Sequence, residues 1–137
     1  MPTYSLELSF VNRAGEVSNG WFIKPSNKTE YYLLQYIKAD VKDWKEINRN
    51  NITEIEVILV SKQAIKDRLA KDHLNDDNLK YIAEEIRAGN GDKFLNRVEN
   101  FPYYLRYSDN LKEQPINLIM TKELYKELSV LNLTVKI

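Results

Sequence analysis

Apolar and polar residues alternate strictly over residues 3–11, and this period of two constrains the fold more than any other feature. Tyr4, Leu6, Leu8 and Phe10 share one side of an extended chain. Successive side chains of a β-strand point to opposite faces, so the pattern predicts a strand with one solvated face. Residues 131–137 alternate in the same way, which predicts a strand held in a sheet and a complete protein or domain rather than a fragment.

Five further segments have the composition of strands, namely residues 17–24, 29–38, 54–60, 103–107 and 116–120. Residues 29–38 are apolar on both sides, which favours a central strand covered on both faces. A helix is the alternative there, because apolar residues also recur at helical spacing: Leu33, Leu34, Ile37, Val41 and Trp44.

The remaining segments predict four or five helices. One is a short helix that begins after a cap at Asp40 and runs to about Ile47, with Trp44 buried. Another lies within residues 90–101, where the helical pattern is weaker. The other three begin after the capping residues Ser61, Asn75 and Thr121. The whole pattern predicts an α+β fold.

The 137 residues are the length of one domain, so we expect a single compact domain over residues 1–137. Strands come early and helices follow. We therefore expect a mostly antiparallel sheet of about five to seven strands, starting with an N-terminal β-meander and packed by about four or five helices.

Composition excludes several kinds of chemistry. The chain has twenty basic and twenty acidic residues, so its net charge does not support a nucleic-acid partner. The chain has no cysteine and one histidine, His73, which excludes thiolate catalysis and sites with several histidines. No stretch reaches the ~20 apolar residues of a membrane helix, and the N-terminus does not resemble a secretory signal. We expect a cytoplasmic protein with no cofactor and no membrane contact.

Acidic residues offer weak catalytic candidates. A restriction-type nuclease places a carboxylate and an E-x-K pair close together around a divalent metal. Asp40, Glu54, Glu56 and Lys62 lie in suitable elements, but Glu56 and Lys62 are about 20 Å apart along a strand at ~3.3 Å per residue. A metal-dependent nuclease or phosphodiesterase with a degenerate motif is therefore the alternative function.

A second acidic group surrounds His73. Asp72, Asp76 and Asp77 lie where one helix ends and the next begins, and acidic residues there favour the positive end of the second helix. We interpret them as capping residues and expect no metal site.

Aromatic residues are the most distinctive feature. Residues 103–107 hold Tyr103, Tyr104, Arg106 and Tyr107, and tyrosine and arginine are enriched where proteins bind one another. Tyrosines also stack on unpaired bases, so a sequence-independent nucleic-acid binder is a third hypothesis, although base stacking normally comes with a basic groove. We expect a non-catalytic protein-binding module, an accessory, inhibitor or regulatory protein. Its Lys, Asn, Ile and Tyr content is common in AT-rich genomes, including those of mobile elements.

Overall fold

A computed structural model describes residues 4–137, except for the side chain of Lys93. The described chain forms seven strands: β1 Ser5–Val11, β2 Val17–Asn19, β3 Tyr31–Ala39, β4 Ile52–Ser61, β5 Tyr103–Tyr107, β6 Ile116–Met120 and β7 Ser129–Lys136. It also forms three α-helices: α1 Lys62–Ala70, α2 Asp76–Arg87 and α3 Lys122–Leu128. Two 3-10 helices cover Trp44–Glu46 and Asp92–Phe94.

The strands form two antiparallel sheets. The four-stranded sheet has the order β2-β1-β6-β5, and the three-stranded sheet has the order β3-β4-β7. The α+β class is therefore confirmed. The predicted N-terminal meander is wrong, because β3 pairs with β4 and not with β2. This partition depends on pairing between distant segments, which a local hydrophobic pattern does not specify.

The chain turns away from β2 at Gly20. A Cβ atom there would lie 2.3 Å from the backbone oxygen of Glu7, so only glycine allows the two backbones to approach this closely. The next residues form a turn that buries Phe22 completely. The strand predicted over residues 17–24 is consequently only three residues long.

Residues 29–38 form a strand, β3, and not a helix. The prediction of a central strand covered on both faces is wrong, because β3 lies at an edge of the three-stranded sheet. Leu34 and Tyr36 are buried on its inner face, whereas Leu33 and Ile37 are 56% and 42% exposed on its outer face.

Four or five helices were expected, and three α-helices are present in the described residues. Residues 40–47 form only a 3-10 turn, capped by Asp43 rather than Asp40, and Trp44 is 74% exposed instead of buried. Asparagine side chains in this loop bind neighbouring backbone N–H groups: Asn51 accepts from Asn48 and Asn48 accepts from Asn50. Such local bonds compete with helix formation.

The three predicted capping residues do begin the α-helices. The side chain of Ser61 accepts from the Ala64 N–H at 2.9 Å, Asn75 from Asn78 at 2.8 Å and Thr121 from Leu124 at 3.2 Å. Each bond satisfies a backbone N–H that the helix itself leaves without a partner.

One core joins both sheets and all three helices. Helix α2 packs on β1, while α1 and α3 pack on β4. Leu118 of β6 and Ile58 of β4 are both completely buried, so each sheet has one face in this core. The opposite face of each sheet lies outside this core, although Ile119 on that face of the four-stranded sheet is only 6% exposed.

Candidate interaction surface

The outer face of the three-stranded sheet carries aliphatic side chains in register. Directly paired residues share one face of a sheet, and β4 pairs with β3 on one side and with β7 on the other. Three rows therefore cross the sheet: Leu33, Leu59 and Leu131; Gln35, Val57 and Leu133; Ile37, Ile55 and Val135. We call these nine side chains the apolar outer face.

This face is open to water in the isolated chain. On the two edge strands, exposure of its aliphatic side chains runs from 41% at Leu133 to 56% at Leu33. Tyr31 and Ile137 extend the face and are 53% and 74% exposed. Single exposed apolar residues are ordinary, but a continuous patch on this scale marks a site of interaction.

The inner face of β4 explains why the apolar rows point outward. It carries Ile58 and Val60, both completely buried, together with Glu56, which is 8% exposed. Lys122 of α3 donates to the Glu56 carboxylate at 2.6 Å, and the Lys126 ammonium lies 3.5 Å from it. Helix α3 thus covers the face that contains the acid, and no described helix covers the other.

Electrostatics show that Glu56 is held as a carboxylate. The hydrogen bond from Lys122 lowers its pKa against the opposing effect of burial. The same ammonium lies 4.8 Å from the ring centre of Tyr36, whose pKa burial raises to about 12. This ion pair joins the buried Glu56 carboxylate to two partly exposed lysines and attaches α3 to the sheet.

At the free edge of β3, the backbone of Gln35 is hydrogen-bonded by Tyr4, the residue that precedes β1. The hydroxyl of Tyr4 accepts from the Gln35 N–H at 2.8 Å and donates to the Gln35 carbonyl. The Tyr4 ring packs edge-on against Tyr36 with centroids 5.2 Å apart. These contacts fix the position of the three-stranded sheet against the four-stranded one.

The structure does not bring the four weak catalytic candidates together. Asp40 lies beyond the end of β3 and is exposed. Lys62 begins α1 at the opposite end of β4, where its ammonium donates to the Asn27 side chain at 3.2 Å. Glu54 lies between two cross-strand lysines in the register, Lys38 and Lys136.

The acidic residues near His73 have other partners. Asp72 accepts from Arg68 at 2.8 Å, and Asp76 accepts from Lys66 at 2.7 Å. Within residues 4–137, Lys93 aside, no group of three or more His, Asp or Glu side chains could hold a metal ion.

The four predicted binding residues divide between two environments. Tyr103 is 3% exposed, and its hydroxyl donates to Asp72 at 2.5 Å. Tyr107 packs under the Arg87 guanidinium at 5.5 Å. Tyr104 and Arg106 lie on the outer face of the four-stranded sheet, where Arg106 is exposed and Tyr104 is half-buried.

An apolar hollow of about 390 Å³ lies beside Tyr103 and Tyr104. Leu74, Val98 and Phe101 contribute to its lining. It is large enough for one bulky apolar side chain, so β5 offers a smaller site of contact than the apolar outer face.

Sequence reasoning identified the elements of the apolar outer face but missed its exposure. It predicted strands over residues 29–38, 54–60 and 131–137, and it expected residues 29–38 to be covered on both faces. The one clear signal is the strict alternation of residues 131–137, which makes a single face of that strand apolar, whereas residues 33–37 and β4 carry apolar residues on both faces.

Comparison of the chain with models of known protein families, with curated proteins and with solved structures gives no match in any of the three. Among the described residues, no helix combines the length and apolarity needed to cross a bilayer.

Proposed function

We propose that this protein is a non-catalytic protein-binding module, and that the apolar outer face is its binding surface. One observation carries the proposal: three registered rows of mostly aliphatic side chains are exposed or half-buried on a sheet whose other face packs β3 and β4 against the core. Burial of apolar surface is the main favourable term in protein association. The free chain is therefore poised to lower its free energy by contact.

The chemistry of the surface favours a protein partner over the other classes. The nine side chains include one polar group, Gln35, and no charged group. A nucleic-acid surface needs lysine or arginine aimed at phosphates, which these rows do not provide. The proposed role is that of an accessory, inhibitor or regulatory protein that acts by occupying a partner's surface.

Site-specific photocrosslinking in the cells that make the protein tests this proposal. A photoreactive residue is introduced in place of Leu33, which is 56% exposed on the apolar outer face. The matched control places it at Arg106, exposed on the outer face of the four-stranded sheet. We expect crosslinks to a protein from position 33 and few or none from position 106. Equal yields at both positions, or none at 33, would contradict the proposal.

A further inference from the structure

We propose that the occupant of the apolar outer face is a second copy of this chain, packed face to face. This inference rests on the proposed function and names the partner of the same surface. The two three-stranded sheets then form a six-stranded sandwich between protomers, with the sheets about 10 Å apart and their strands crossing at roughly 30°.

The composition of the face favours a permanent partner. Interfaces that form and dissolve are about as polar as the rest of a protein surface, whereas those of obligate homodimers resemble a core cut in half. Leucine, isoleucine and valine supply eight of the nine side chains of the apolar outer face. A second copy is the partner that is present whenever the chain is made.

The face is also complementary to itself. A two-fold axis through its centre places the same patch on both sides, so every charge on one protomer meets its own copy near the axis. The three rows carry no charge, and Val57, at the centre of the middle row, is aliphatic. Pairing therefore brings no like charges together.

The available area reaches the lower limit for a specific interface. Six side chains of the two edge strands are exposed by 41% to 56%: Tyr31, Leu33, Ile37, Leu131, Leu133 and Val135. They offer on the order of 500 Å² per protomer, so a face-to-face pair buries about 1,000 Å², the area that a specific interface needs.

An alternative dimer, in which two copies of β7 pair along their free edges, explains the apolar outer face less well. The Ile137 N–H donates to the Thr53 carbonyl, so odd-numbered residues of β7 bond to β4 and even-numbered ones turn their backbone groups outward. A second β7 could pair there. The resulting continuous sheet would leave both apolar outer faces in water, whereas face-to-face packing removes them from it.

Sedimentation equilibrium of the purified protein over micromolar concentrations tests the inference. We expect the wild type to sediment at twice the chain mass. Val57→Lys places two unpaired ammonium groups in the interface and should weaken the dimer by about 100-fold or more. The matched control is Asn117→Lys, in the inner strand β6 on the outer face of the four-stranded sheet, which should leave the dimer unchanged.

Leu33→Asp repeats the test at a side chain that is 56% exposed in the single chain, in case Val57→Lys disturbs folding. Circular dichroism shows that each variant is folded. A dimer that persists in both variants, or dissociates equally in Asn117→Lys, overturns face-to-face packing. A wild type that stays monomeric while position 33 crosslinks to a different protein overturns the second copy and leaves the proposed function standing. If it is monomeric and position 33 forms no crosslink, both fail.

Discussion

The two sheets have similar inner faces and opposite outer faces. The outer face of the four-stranded sheet carries a row of half-buried Glu7, half-buried Asn117 and exposed Arg106. The outer face of the three-stranded sheet carries a row of Leu33, Leu59 and Leu131 instead. In a monomer, the outer face of an antiparallel sheet is commonly polar and solvated. The difference shows that the four-stranded sheet has a largely polar outer face, whereas the three-stranded sheet has an apolar outer face that no described helix covers.

The comparison also separates folding from binding. Both inner faces belong to one core, so both sheets contribute to the stability of the single chain. The apolar outer face contributes little to that stability because water still reaches it. We propose that contact with a partner accounts for its sequence.

The largest expected effect is the loss of unfolding free energy when a buried side chain on an inner face is truncated. This loss should be similar in the two sheets. Ile58 and Leu118 are both completely buried, one in each sheet. Truncating either to alanine leaves a cavity and should cost about 3 kcal/mol of unfolding free energy. Urea denaturation of Ile58→Ala and Leu118→Ala, each compared with the wild type at the same protein concentration, measures this. A loss below about 1 kcal/mol in either variant would show that the corresponding sheet is not part of the core.

Next in size is the contrast between two glutamates with opposite pKa shifts. Lys122 lowers the pKa of Glu56 on the inner face of β4, and burial raises the pKa of Glu7 on β1. Glu56→Gln should cost about 1–2 kcal/mol at pH 7, because it leaves the lysines of α3 without their carboxylate. Glu7→Gln should change stability less and in the opposite direction.

The contributions of the two glutamates to stability should change with pH in opposite directions. The folded state holds the proton of Glu56 more weakly than the unfolded chain does. Its contribution is therefore present above the ordinary pKa of 4.5 and lost as pH falls through the lowered folded value. The difference between wild type and Glu56→Gln should shrink below pH 4.5, measured by urea denaturation across pH. The contribution of Glu7 is retained at low pH and lost as pH rises through its raised folded pKa. A Glu56→Gln deficit that does not vary with pH would contradict the ion pair.

The smallest effects come from two buried hydroxyls, one in each sheet. The Tyr103 hydroxyl donates to Asp72, whereas the buried Tyr32 hydroxyl has no hydrogen-bond partner among the described residues. Tyr103→Phe should cost about 1 kcal/mol, and Tyr32→Phe should be neutral or slightly stabilising. Thermal unfolding of the two variants side by side checks the ranking. The reverse order would mean that the Tyr32 hydroxyl makes a contact in solution.

Much of the local structure could be predicted from the sequence, because strand alternation and helix caps are local signals. Ser61, Asn75 and Thr121 each begin an α-helix as their position before an apolar stripe indicates. Trp44 could not be placed, because neighbouring asparagines direct the backbone into turns that its helical spacing does not reveal.

The site was harder to predict, because both faces of β4 contain aliphatic residues. One face holds Ile55, Val57 and Leu59, and the other holds Glu56 with Ile58. The purely aliphatic face looks interior by itself. The face with Glu56 is nevertheless the buried one, because Lys122 and Lys126 supply the charges that allow this acid to be buried. Both lysines are more than 60 residues away in sequence. An interior acid with distant partners is invisible to a local pattern.

Thiol accessibility of single-cysteine variants measures the central claim most directly, because the chain has no cysteine of its own. Val57→Cys reports on the apolar outer face, and Asn117→Cys reports on the outer face of the four-stranded sheet. As the protein concentration rises from nanomolar to high micromolar, we expect the maleimide reaction at position 57 to slow by about 10-fold or more, following the fraction of paired chains. The rate at position 117 should not change. A reaction at position 57 that is equally fast at every concentration would contradict the account.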